Sequence, residues 1–265
     1  MTRTLLGLLA VPLLAYGAVL AALWWGQERL IFLPTPLPPE AKLAQAPDIH
    51  ERWVDVDGAR LSVLELRLPS PKGVVFYLHG NAGNLATWFT AADFYRRANF
   101  DLVMPDYRGY GKSTGRIESE AQLQADVRAV WRSIAARYAG QRVVLFGRSL
   151  GTGLTATLAA ELQPDLTVLV SPYESLEALA RSHYPWVPAA LLRYPLRTDL
   201  ALPRVRTPVL LLHGVRDDLI PPSHSQALAA RVPQAALHLI DGAGHNDVHL
   251  SEAYLATLRG ALDRL

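Results

Sequence analysis

"VVLFGRSLG", residues 143–151, sets an unbroken apolar run directly before a turn whose serine has a glycine two positions away on each side. A buried strand that turns sharply into a helix, with one hydroxyl held out at the crest, needs this arrangement. Glycine alone lets strand and helix approach closely around a strained serine backbone. Other turns can share the same letters, so the reading requires an acid and a base further along the chain.

Outward from this stretch, apolar runs recur with helical segments between them. Strands are expected at 53–56, 61–66, 74–78, 102–104, 142–146, 167–170, 209–212 and 237–240, and helices at 86–98, 118–137, 152–162, 223–230 and 251–262. This alternation predicts an α/β fold, a mostly parallel sheet with helices on both faces. The first two strands, with Asp57 and Gly58 between them, read as an antiparallel hairpin at the sheet edge. Residues 172–203 break the alternation with Pro185, Pro188, Pro195 and Pro203 among aromatics and leucines, and read as a small inserted lid.

Chemistry-bearing motifs follow the expected strands: "HGNAGN" (79–84), "DYRGYGKS" (106–113), the serine turn, "HGVRDDLIP" (213–221) and "DGAGHND" (241–247). Loops at the carboxyl ends of parallel strands share one edge, where ligand chemistry collects. Serine, acid and base then occur in the order Ser149, Asp217, His245. The acid loop holds two adjacent aspartates, so Asp218 stays an alternative to Asp217.

Carried by these motifs and by "QERLIFLPTP" (27–36), the chain resembles a membrane-anchored, bacterial-looking serine hydrolase of the α/β-hydrolase superfamily. It is similar to the group that includes the depalmitoylating thioesterases, along essentially its whole length. The resemblance implies an α/β-hydrolase fold and hydrolysis of carboxylic esters or thioesters, with amide or peptide hydrolysis and a non-catalytic binding module at the membrane as alternatives. Its D-x-x-[IV]-P pattern selects Asp217.

A serine hydroxyl is a weak nucleophile at neutral pH, so Ser149 needs His245 within hydrogen-bond reach as its base. Asp217 would fix the imidazole tautomer and stabilise the imidazolium. The tetrahedral oxyanion needs two donors, expected to be the backbone N–H groups of Leu150 and Asn81, the latter rather than Ala82. Losing one such donor costs roughly 3 kcal/mol of transition-state stabilisation. His79 and His213 are read as structural, and Asp106 and Arg108 as braces for the loops. Tyr184, Trp186 and Tyr194 are candidates for an acyl pocket, with lid packing an equal reading.

Other chemistries fit the residues poorly. His245 and His249 lack the glutamate that a zinc-protease helix carries after its first histidine, so no metal is expected. "GYGKS" has Asp106 where a phosphate loop has its first glycine, and the glycines around Ser149 do not form a dinucleotide motif. No cofactor is implied. A net charge of +2 without blocks of like charge points away from nucleic acid. The absence of cysteine removes disulfides and thiol nucleophiles but leaves the compartment open.

At the N-terminus, residues 4–27 carry no charge and residues 5–25 are almost wholly apolar. As a helix that stretch would reach about 30 Å, one bilayer core. Residues 1–27 are therefore expected to be a single-pass anchor, with a cleaved signal peptide as the alternative. Residues 28–48 read as a proline-rich tether and 49–265 as the hydrolase domain. Arg3 and the free amine favour an inside N-terminus and an extracytoplasmic domain, although Arg29 nearly balances that count. The expected partners are the membrane and a small or lipid-like acyl substrate, with oligomeric state left open.

Overall fold

The computed structural model describes residues 2–265, with side chains from residue 11 onward. Its eight strands are β1 (Ile49–Val56), β2 (Ala59–Leu66), β3 (Gly73–Leu78), β4 (Asp101–Pro105), β5 (Arg142–Arg148), β6 (Leu166–Val170), β7 (Val209–Gly214) and β8 (Ala235–Ile240), all in one sheet. The helices are α1 (Thr2–Ile31), α2 (Leu85–Trp88), α3 (Ala92–Ala98), α4 (Glu120–Ala135), α5 (Leu150–Leu162), α6 (Leu176–His183), α7 (Thr198–Ala201), α8 (Ser223–Arg231) and α9 (Glu252–Asp263). Strand order is β1-β2-β4-β3-β5-β6-β7-β8. The β1–β2 and β2–β4 pairs are antiparallel and the rest are parallel.

The strands read as continuous apolar runs because both faces of the sheet are covered. Alternate residues go to opposite sides: Val74, Phe76 and Leu78 join one core with α4 and α5, while Val75 and Tyr77 join the other with α3 and α9. Helix α4 shows why these segments are helical. Ser119 caps its start by accepting from the Gln122 N–H at 3.1 Å. Its apolar positions, Leu123, Val127, Val130, Trp131 and Ile134, recur at helical spacing and are buried on one face.

Three expectations change. The helix expected at 86–98 is two, α2 and α3, interrupted by Phe89, Thr90 and Ala91. Helix α1 runs past residue 27 to Ile31 because its last turn is held by the domain: Gln27 Nε2 donates to Leu191 O at 3.0 Å, and Glu28 pairs with Arg193. The proline segment that follows is extended but is not a free tether. Thr35 N donates to Gly83 O at 3.3 Å and Leu37 N to Gly111 O at 2.7 Å, while Asn84 Nδ2 donates to Thr35 O at 2.9 Å.

Among the described residues no helix is long and apolar enough to cross a membrane. The expected anchor begins before residue 11, so the side chains of its first part lie outside the described residues. From residue 11 on, α1 leaves Val11, Leu13, Leu14 and Trp25 more than half exposed.

Candidate active site

Strand β5 delivers Ser149 and α5 starts at the next residue. Ser149 adopts φ 49° and ψ −117°, a left-handed backbone that a side chain tolerates only under constraint. The constraint is local: Ser149 N donates to Val170 O at 2.9 Å, and the turn is clamped between β3 and α5. A Cβ on Gly147 would collide with Thr155 and the Gly151 carbonyl, and one on Gly151 with the Leu78 carbonyl. The hydroxyl does not cap α5, so it is free for another partner.

That partner is His245, on the loop after β8. His245 Nε2 lies 3.0 Å from Ser149 Oγ, and His245 Nδ1 lies 2.8 Å from Asp217 Oδ2. Nδ1–H donates to the carboxylate, which leaves Nε2 to accept from the hydroxyl. The remaining carboxylate oxygen, Oδ1, accepts from the N–H groups of Leu219 at 3.1 Å and Ile220 at 2.8 Å. Burial alone would raise the Asp217 pKa. Hydrogen bonds from His213, His245 and the Ile220 N–H outweigh it and hold the carboxyl far below the ordinary carboxylate range. Asp218, the alternative acid, is exposed on the same loop. Ser149 and His245 are each only 9% exposed.

The two expected oxyanion donors face no competitor within the chain. Among the described residues neither the Asn81 nor the Leu150 backbone N–H has a hydrogen-bond acceptor. The Ala82 N–H donates to Asn81 Oδ1 at 2.9 Å and is therefore engaged. The same Oδ1 accepts from the Tyr110 hydroxyl at 2.7 Å and the Leu33 N–H at 3.0 Å, while Asn81 Nδ2 donates to Ile31 O at 2.5 Å. The loop carrying one donor is thus bonded to the end of α1.

His79 and His213 are buried and engaged inside the chain. His79 Nδ1 donates to Gly80 O at 2.7 Å, and Tyr107 donates to His79 O at 2.7 Å. His213 Nε2 donates to Ile220 O at 2.7 Å and also faces Asp217 Oδ2 at 3.3 Å, while its Nδ1 accepts from Ser225 at 2.6 Å, which steadies the acid loop. Asp106 Oδ2 accepts from Leu85 N at 3.3 Å. Arg108 is paired with Asp126 and donates to Asp57 O at 2.6 Å.

The three pocket candidates separate. Tyr194 is fully buried, edge-on to Phe32 at 5.0 Å, and donates to Glu28 at 2.7 Å, so it packs α1 rather than lining a pocket. Tyr184 and Trp186 are exposed and line an apolar cleft of about 460 Å³ with Leu23 and Leu30 of α1.

The sequence reading missed Tyr107, Tyr110 and Arg148. All three sit inside motifs it quoted, but their roles depend on loops distant in sequence. Arg148 Nη2 donates to His245 O at 3.1 Å and supports the histidine loop from the strand that bears the serine.

Comparison with known proteins shows what the chain is related to. A family model described as "Serine aminopeptidase, S33" matches residues 69–199. An uncharacterised protein of Mycobacterium tuberculosis is 32% identical over 92% of this chain and 89% of its own length. Alpha/beta hydrolase domain-containing protein 17C of Xenopus tropicalis is 33% identical over 78% of this chain and 67% of its own. The crystal structure of the Pyrococcus furiosus esterase Pf2001 superimposes with a TM-score of 0.71 at 18% identity, covering 88% of this chain and 97% of that one. With the serine turn, the strand order and these relatives in agreement, the chain belongs to the α/β-hydrolase family.

Proposed function

We propose that the protein is a serine hydrolase that cleaves carboxylic esters or thioesters through an acyl-enzyme, with Ser149 as nucleophile, His245 as general base and Asp217 as its orienting acid. The observation that carries this reading is the continuous contact from Ser149 Oγ through the His245 ring to Asp217, at 3.0 and 2.8 Å. In the first half-reaction His245 Nε2 takes the hydroxyl proton as Oγ attacks the acyl carbonyl. The tetrahedral oxyanion is met by the N–H groups of Asn81 and Leu150. Collapse expels the alcohol or thiol, protonated by His245. Water, activated by the same imidazole, then releases the acid and restores Ser149.

The acyl substrate is proposed to be lipidic or lipid-linked and taken near a membrane, with residues 1–27 as the anchor and the catalytic domain on the extracytoplasmic side. The exposed apolar side chains of α1 support this, as does the docking of its last turn on the segment after β6. A second reading, hydrolysis of an amide or peptide bond, draws on the description of the matched family.

Turnover of p-nitrophenyl butyrate, a butyryl thioester and an aminoacyl p-nitroanilide separates the two. The proposal expects ester and thioester hydrolysis that disappears in Ser149→Ala. Turnover confined to the anilide would transfer the assignment to the peptide reading.

A further inference from the structure

Beside the oxyanion loop lies a pocket of about 390 Å³, lined in part by Asn81, Arg148 and Asn246. Arg148 immediately precedes Ser149 and Asn246 immediately follows His245 in the chain, so the pocket adjoins the segments that carry both, while neither Ser149 nor His245 itself lines it. Arg148 is 7% exposed. The other arginine buried among the described residues, Arg108, is clamped by both oxygens of Asp126 at 2.5 and 2.8 Å. Arg148 has no such partner: among the described residues no carboxylate lies within ion-pair distance of it, and no Asp or Glu lines the pocket. A buried guanidinium without a counter-charge is unfavourable unless something else supplies one.

The chain satisfies only part of this side chain. Nη2 donates to His245 O at 3.1 Å and Asn246 O at 3.4 Å, and the guanidinium carbon sits 5.2 Å over the Trp88 ring. Among the described residues, the one chain group beside the rest of the fork is the Tyr77 hydroxyl, which the Arg148 charge and a hydrogen bond from it act on. Supporting the histidine loop uses one nitrogen, and with a phenol as its only other polar neighbour among those residues the guanidinium keeps donors for an anionic acceptor. His249, on the same wall, has a buried Nδ1 without a hydrogen-bond partner. Burial and then the Arg148 charge lower its pKa, which keeps it a neutral donor or acceptor rather than a second cation. Phe94, Tyr254 and Leu258 supply apolar walls behind these groups.

We propose that this pocket is an anion subsite, in which Arg148 receives a carboxylate or phosphate group carried by the same substrate whose acyl carbonyl meets Ser149. The inference rests on the assignment of Ser149 as nucleophile and narrows the substrate to acyl compounds with an anionic group near the scissile bond.

The test is calorimetric titration of the full chain in neutral detergent with butyl phosphate, butyrate and butanol, for wild type, Arg148→Lys and Arg148→Met. The expected result is an anion bound roughly tenfold or more tightly than butanol. Arg148→Met should abolish that preference and Arg148→Lys retain part of it. The stronger of the two anions identifies the group. Equal binding of all three by the wild type, or a preference that survives Arg148→Met, overturns the proposal. A purely structural Arg148 would change stability without changing the anion-to-alcohol ratio. If Arg148→Met does not fold, phenylglyoxal modification of Arg148 in the wild type, mapped by mass spectrometry, replaces it. Protection by butyl phosphate but not butanol supports the subsite, and absence of protection overturns it. Binding requires no turnover, so loss of the hydrolase assignment would be seen separately, as failure of a fluorophosphonate to label Ser149.

Discussion

Asp217 shows how a buried carboxylate is kept charged. Three donors hold its pKa down in spite of burial, so its charge persists through the acid range and is removed by substitution rather than by mild acidification. Asp217→Asn should lower kcat by roughly four orders of magnitude, whereas Asp218→Asn should stay within a few-fold of wild type, both measured on a short ester. Equal losses would mean that the acid loop is read in the wrong register. The glycines of the serine turn make a second prediction at this scale. A methyl on Gly151 meets the backbone of β3, which cannot move aside as a side chain could. Gly151→Ala should therefore destabilise the fold by about 3 kcal/mol, visible as a lowered thermal midpoint.

Among the elements, β2 carries an acid inside the sheet. Glu65 is buried and is met by Arg52, Arg67 and Arg137, which tie β2 to β1 and to the turn after α4. Burial would raise its pKa, but the three guanidinium groups lower it below the ordinary value. Because the arginines are partly exposed, the cluster is worth less than a sealed ion pair, and Glu65→Gln should cost about 2 kcal/mol in denaturant unfolding. The sequence revealed the eight strands because a sheet covered on both faces writes itself as apolar runs. It singled out Ser149, Asp217 and His245, which the structure brings together, because each stands in a strand-end motif. It did not reveal the break between α2 and α3, nor which of its two readings Tyr194 takes. The side on which Tyr194 lands depends on its contacts with Glu28 of α1 and with Phe32, which no local pattern encodes.

Over the whole molecule, α1 is part of the machinery's frame, since its end is bonded to Asn81 and to the segment after β6. On the proposed membrane anchoring, the full chain should float with lipid vesicles in a density gradient, and Leu13→Arg with Leu14→Arg should shift it to the soluble fraction. Flotation unaffected by both charges would contradict the anchor. Acid stability follows from the depressed carboxylates. Glu65 and Asp217 have folded-state pKa values below their unfolded ones, so each contributes stability above about pH 4 that is lost as pH falls through the folded value. Asp101 and Glu120, raised by burial, act in the opposite sense. The thermal midpoint should fall as pH drops below about 4, and fall less steeply in Glu65→Gln.

The most direct measurement is labelling of the folded chain with a fluorophosphonate, followed by peptide mapping. The account predicts one adduct, on Ser149, formed rapidly in wild type and lost or slowed by orders of magnitude in His245→Gln. An adduct on another serine, or labelling of Ser149 that is indifferent to His245, would contradict it.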